Sequence, residues 1–193
     1  MNCRTAIVVL LSCVGAVICA RGAISAGDQL HLADGLYDRG MYDLSAREYI
    51  SVLSGMTNHP RAAEVTYRIG ESYRQLNQTG KASDYFLKTE SGFPSSPFRF
   101  KAALRRAEIL DSANSMNELF VLLDSTLAAN PPRDIAASAL YLQGSALGRT
   151  GKKDVAAVSY ERIIREYSDT QIHTYALLAL GGLRAAEQDG AGK

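Results

Sequence analysis

Small residues recur along this chain at a fixed step of 37: Ala33, Gly70, Ala107, Gly144 and Gly181. Seven residues after the first four of these anchors stand Gly40, Asn77, Asn114 and Gly151. Glycine and asparagine tolerate the left-handed conformation that closes a helix C-terminus. Three residues after each of those four anchors the side chain is large and apolar, as Leu36, Tyr73, Leu110 and Leu147. Sixteen after, it is large and apolar again, as Tyr49, Phe86, Leu123 and Tyr160. Twenty-four after, two of the four units carry proline, Pro94 and Pro131. The first unit has Pro60 three positions late, and the fourth has Ser168 instead.

Each column has a physical reason. Apolar residues recur around the anchors at helical spacing, as in Tyr67, Ile69, Tyr73 and Leu76. The Gly/Asn column ends that helix, and a second helical stretch carries the large residue sixteen after the anchor. Proline then stops it or opens the next helix, because proline fits only a first turn. The anchor is small because two antiparallel helices approach closely there, and Ala82 and Ala156 are the facing small residues. The pattern predicts helices over about 26–39, 42–56, 60–76, 80–91, 98–111, 115–129, 132–150, 152–166 and 170–187, and no strand. One such pair cannot bury its own apolar face. Stacked pairs can, so the chain should be a solenoid stabilised between neighbours.

These columns resemble the tetratricopeptide repeat. The second unit matches through Gly70, Tyr73, Ala82, Phe86 and Pro94, and the fourth through Gly144, Gly151, Ala156 and Tyr160. The first matches through Ala33, Leu36, Gly40, Tyr42 and Tyr49. The third departs: Arg106 stands where an apolar residue is usual, and Leu119 replaces the small one. The resemblance covers residues 26–187 and implies an all-α, right-handed solenoid of four helix-turn-helix pairs plus a terminal helix. Residues 188–193 are expected to be a flexible tail. The 37-residue step is longer than the usual repeat. The longer linkers resemble those of bacterial envelope members, such as the lipoprotein of the outer-membrane barrel-assembly machinery and the Tol-Pal-associated division coordinator.

In that family the first helix of each pair lines a concave groove. By resemblance the groove residues here are Leu30, Tyr67, Leu104 and Tyr141, three before the anchors; Asp34, Glu71, Glu108 and Ser145, one after; and Tyr37, Arg74 and Asp111, four after. A floor of tyrosine and leucine edged by carboxylates suits a peptide or helix with apolar anchors and some Lys or Arg. The alternative is a plain solvated face. The lysine/asparagine clamp that some relatives use on a C-terminal carboxylate is absent.

The first residues carry a different signal. Arg4 is the only charge before Arg21, and Ala6 to Ala20 is an apolar and small run broken only by Ser12. It is too short for a membrane-spanning helix and fits the core of a secretory signal, with a cut between Ala20 and Ala26. Residues 1–25 are therefore expected to be a signal peptide and lead-in, and the protein to be exported, by default to the periplasm. A lipid anchor at Cys19 or Cys13, attaching the protein to the outer membrane, and an uncleaved N-terminal anchor are the alternatives. The three cysteines, Cys3, Cys13 and Cys19, all lie in this segment. The mature chain would then have no disulfide and no thiolate metal site.

Little else carries chemistry. Lysine and arginine number 21 against 20 acidic residues, a net charge of +1, which gives no basis for nucleic-acid binding. Gly151-Lys152 lacks the spacing and hydroxyl of a phosphate loop and belongs to an inter-helix turn. His31, His59 and His173 share no ligand spacing. No cofactor, metal or small-molecule substrate is expected. The last helix, Tyr175 to Ala186, has Arg184 as its only charge. A cap should be polar on its outer side, so this helix is expected to meet a second copy or a partner. The sequence reading is a non-catalytic adaptor or scaffold of the cell envelope that binds another protein. Its alternatives are a lipid-anchored component of an outer-membrane assembly complex and an enzyme or enzyme accessory subunit.

Overall fold

A computed structural model describes residues 25–191. The expected signal segment, its three cysteines and the last two residues lie outside the described residues. Nine α-helices and no strand occur among those described. They are α1 (Ala26–Asp38), α2 (Tyr42–Leu53), α3 (Ala62–Gln75), α4 (Thr79–Gly92), α5 (Phe98–Ser112), α6 (Met116–Ala128), α7 (Arg133–Arg149), α8 (Lys153–Glu166) and α9 (Ile172–Ala191). The last helix continues past its expected end at 187 into the segment expected to be a tail. The second and third helices are shorter than their apolar pattern suggested, because Met56, His59 and Ala62 close successive turns back onto Leu53, Met56 and His59.

The four turn residues do the same thing in each unit. Gly40, Asn77, Asn114 and Gly151 have φ of 74°, 57°, 57° and 81°. The next N–H in the chain then reaches back to the carbonyl three after the anchor. Met41 bonds Leu36, Gln78 bonds Tyr73, Ser115 bonds Leu110 and Lys152 bonds Leu147, at 2.9–3.0 Å. This left-handed closure satisfies carbonyls that a helix end would otherwise leave open. It also reverses the chain sharply enough for the second helix to run back along the first.

Close approach follows at the anchors. Ala33 and Ala107 are fully buried, as are Tyr49 and Phe86, and Leu123 and Tyr160 are nearly so. A Cβ built on Gly70 would lie 2.6 Å from Phe86 Cε1, and one on Gly144 would lie 2.9 Å from Tyr160 Cε1. The aromatic ring therefore occupies the space of the missing side chain. Twelve after the anchors, Ser45, Ala82, Leu119 and Ala156 are all fully buried in the same seam. Ser45 also donates its hydroxyl to the Ala33 carbonyl at 3.1 Å, stitching α2 to α1.

Helices pack with their chain neighbours, and α3, α5, α7 and α9 also contact one another in sequence. The result is a helical-repeat solenoid with an inner row of odd-numbered helices. Its core is distributed. Separate buried clusters gather around Tyr49 and Ile69, around Phe86, around Leu119 and Leu123, and around Tyr160 and Ile163. The third unit's departures are accommodated locally. Leu119 is buried, and Arg106 forms two hydrogen bonds, 3.0 and 2.9 Å, to the Glu90 carboxylate of α4. Burial pushes the Glu90 carboxyl up, against the pull of Arg106.

The fifth anchor behaves differently. Gly181 is exposed, and a Cβ there would meet nothing within 4 Å. Equivalent substitutions should therefore have opposite signs. Gly70→Ala should destabilise by about 1–3 kcal/mol, because ring displacement outweighs the gain in helix propensity. Gly181→Ala should be neutral or stabilise by up to about 1 kcal/mol. Urea unfolding followed by circular dichroism measures both; equal effects would contradict the packing.

Candidate functional site

The inner row presents one face. An open cleft of about 520 Å³ runs between α3, α5, α7 and α9. Tyr67 lines it from α3, and Leu104, Lys101, Arg105 and Glu108 from α5. Tyr141, Leu142, Ile135 and Ser138 line it from α7, and Ile172 from α9. A cleft of this size and mixed character can take a segment of another chain, with the apolar side chains supplying contact area and the polar ones orientation. Tyr67 is held by Phe86 and Phe98, with ring centroids 5.6 and 5.5 Å away. Tyr141 lies against Tyr160 and Tyr175, at 5.7 and 6.3 Å. The floor is thus built on the same rings that fill the anchor seams.

Of the residues expected in a groove, Tyr67, Leu104, Glu108 and Tyr141 come together here. Leu30 does not: it is buried among α1, α2 and α3, sharing a cluster with Tyr49, Val65 and Ile69. Glu71 is also buried, with only 7% of its side chain exposed, and pairs with Arg74 at 3.0 Å and Arg105 at 3.2 Å. Arg74 is thereby committed to Glu71. Tyr37 is half-buried against Tyr42 and Tyr49, under Arg68. Asp111 pairs with Arg149, whose other end reaches the Ser145 hydroxyl at 3.3 Å.

Lys101, Arg105, Ile135, Ser138, Leu142 and Ile172 are the lining residues that the groove columns missed. A signal for them exists. Ile135 and Ile172 stand nine before their anchors, Lys101 and Ser138 six before, and Arg105 and Leu142 two before. Nine, six, three and two before form a single helical stripe.

Asp34 is the centre of a second polar cluster, toward the other end of the row. It accepts two hydrogen bonds from Arg61, at 2.9 and 3.0 Å, and one from the Tyr49 hydroxyl at 2.6 Å. Arg68 approaches at 3.4 Å. Glu64 pairs with the same two arginines, at 2.8 and 3.0 Å. Burial opposes ionisation of Asp34, but the Arg61 and Tyr49 hydrogen bonds and the two arginine charges outweigh it and hold its carboxyl below the ordinary value. The Arg61 hydrogen bond leads in depressing Glu64. Burial, then the bond to Asp34, pushes the Tyr49 phenol well up.

Among the described residues, no group of three or more His, Cys, Asp and Glu is placed to hold a metal ion. No described helix is long and apolar enough to cross a membrane.

Residues 138–170, which run through α7 and α8, match a family model for the tetratricopeptide repeat. No curated protein matches the chain. The repeat match supports a tetratricopeptide-repeat protein. Such repeats generally mediate protein–protein interaction and are typically non-catalytic.

The Asp34 cluster sets a pH response. Asp34 and Glu64 titrate lower when folded than when unfolded, so their contribution is complete above the unfolded values. It is lost as pH falls through the lowered folded ones. Asp34→Asn should cost about 1–2 kcal/mol at pH 7 and should lose less on acidification to pH 3 than the parent does. Urea titrations at the two pH values test this; parallel losses in both proteins would refute it.

Proposed function

We propose that this protein is a non-catalytic interaction scaffold of the bacterial cell envelope that holds a segment of a partner protein in the inner cleft. The observation that carries the reading is the cleft that four inner helices share, lined by Tyr67, Leu104, Ile135, Tyr141, Leu142 and Ile172 among polar residues, together with the tetratricopeptide match over α7 and α8. Export is argued from the signal-like run at Ala6 to Ala20. Soluble export and lipid attachment at Cys19 are its two forms, the second suiting a component of an outer-membrane assembly complex.

A second contact is argued from α9. Leu177 and Leu178 are 47% and 71% exposed there, beside the open Gly181. Elsewhere in the chain a glycine at this register receives an aromatic ring from a packed helix. An α9 face presented to a second copy would give both chains that closure.

Two experiments test these readings. A photo-reactive amino acid at Leu104 should trap partner protein in intact cell envelopes, and the same group at Val121, on the exposed side of α6, should not. Trapping at Val121 alone would overturn the cleft assignment. Sedimentation should show a concentration-dependent dimer that Leu178→Glu converts to monomer. A parent chain that is monomeric at all concentrations would overturn self-association.

A further inference from the structure

Most of the charges along the inner face are already paired. Asp34 and Glu64 are matched by Arg61 and Arg68. Glu71 and Glu108 are matched by Arg74 and Arg105. Asp111 is matched by Arg149. Five carboxylates thus face five arginines, and each network is neutral. Beside the cleft floor one cation is left over. Lys101 is exposed, lies over the ring of Phe98 on its own helix at 5.1 Å, and has no ion-pair partner among the described residues.

Resting on the cleft reading, we infer that the occupant is a peptide segment with apolar side chains beside an internal aspartate or glutamate, and that Lys101 reads that carboxylate. A basic guest would meet the unshielded charge of Lys101 and would have to share Glu71 and Glu108 with Arg105, which already bonds both. An acidic guest breaks nothing and meets a cation already in place. The preference therefore comes from the cost imposed on the wrong charge as well as from attraction to the right one. It reverses the expectation of a Lys- or Arg-bearing ligand, which rested on counting the groove's carboxylates without their partners.

A displayed library of random 12-residue peptides tests this on the full chain and on Lys101→Gln and Lys101→Glu. Wild-type selection should enrich apolar residues next to Asp or Glu. Winners should bind Lys101→Gln about fivefold more weakly, the loss of one exposed ion pair, and the acidic bias should vanish on Lys101→Glu. Neutral or basic winners, or winners that bind Lys101→Glu undiminished, overturn the acid preference. The cleft reading survives that result if those winners weaken on Leu104→Gln. Winners indifferent to Leu104→Gln, or no enrichment at all, overturn both. Cross-linking a benzophenone-bearing winner to the unmodified protein, and mapping the attachment to α5 and α7 or elsewhere, decides the location should Leu104→Gln not fold.

Discussion

Everything in this molecule depends on how near two antiparallel helices can come. At Gly70 and Gly144 the absence of a side chain lets Phe86 and Tyr160 lie directly on the opposing backbone. A helix pair brought this close buries its seam, the ring and the small residues together, yet it is too thin to bury the rest of its apolar surface. Its remaining apolar surface must go against the next pair. Stability is then a nearest-neighbour property, and the chain grows as a row with several small cores in place of one large one. The left-handed turn residues serve the same end. Without Gly40, Asn77, Asn114 and Gly151 at positive φ, the second helix would leave at an angle that could not bring its large side chain to the anchor.

The inner face inherits its chemistry from this packing. Odd-numbered helices touch one another in sequence, and residues there must join one unit to the next. Ion pairs do this work in part: Asp34 of α1 grips Arg61 and Arg68 at α3, Glu71 of α3 grips Arg105 of α5, and Asp111 of α5 grips Arg149 of α7. Each pair alone would be worth little at a surface. Those at Asp34 and Glu71 are half-buried or better, hydrogen-bonded and shared between two arginines, and removing a partner would leave a charge in poor solvent.

The repeat itself was legible in the sequence, because its signals are local. A small anchor and the Gly or Asn seven later belong to one helix and the turn that ends it, and the large residue sixteen after the anchor stands on the helix that the turn returns. All four turn residues have the left-handed conformation expected of them, and the nine helices appear in order. The face was less legible, because exposure depends on residues far along the chain. Leu30 shares its column with Tyr67 and Leu104, but α3 closes over it, and Val65 and Ile69 lie 35 and 39 residues away. Glu71 looks like a groove carboxylate until Arg105, 34 residues on, takes it. Arg106 looks like decay of the pattern until Glu90 is found opposite. In each case the column predicts the direction of a side chain and not what awaits it there.

The step of 37 also reaches beyond the last packed pair. Gly181 holds the anchor register, and α9 packs against α7 and α8 as an inner helix should. No ring fills the space at Gly181 among the described residues, and Leu177, Leu178 and Gly182 share the open side. Three after this anchor stands Arg184, where the other units carry a large apolar residue, and it pairs with Glu161 of α8 at 2.8 Å. Otherwise the open side carries small residues beside leucines. Gly70 accepts Phe86 and Gly144 accepts Tyr160 at this register, and that is the ground for the proposed contact of α9 with a second copy.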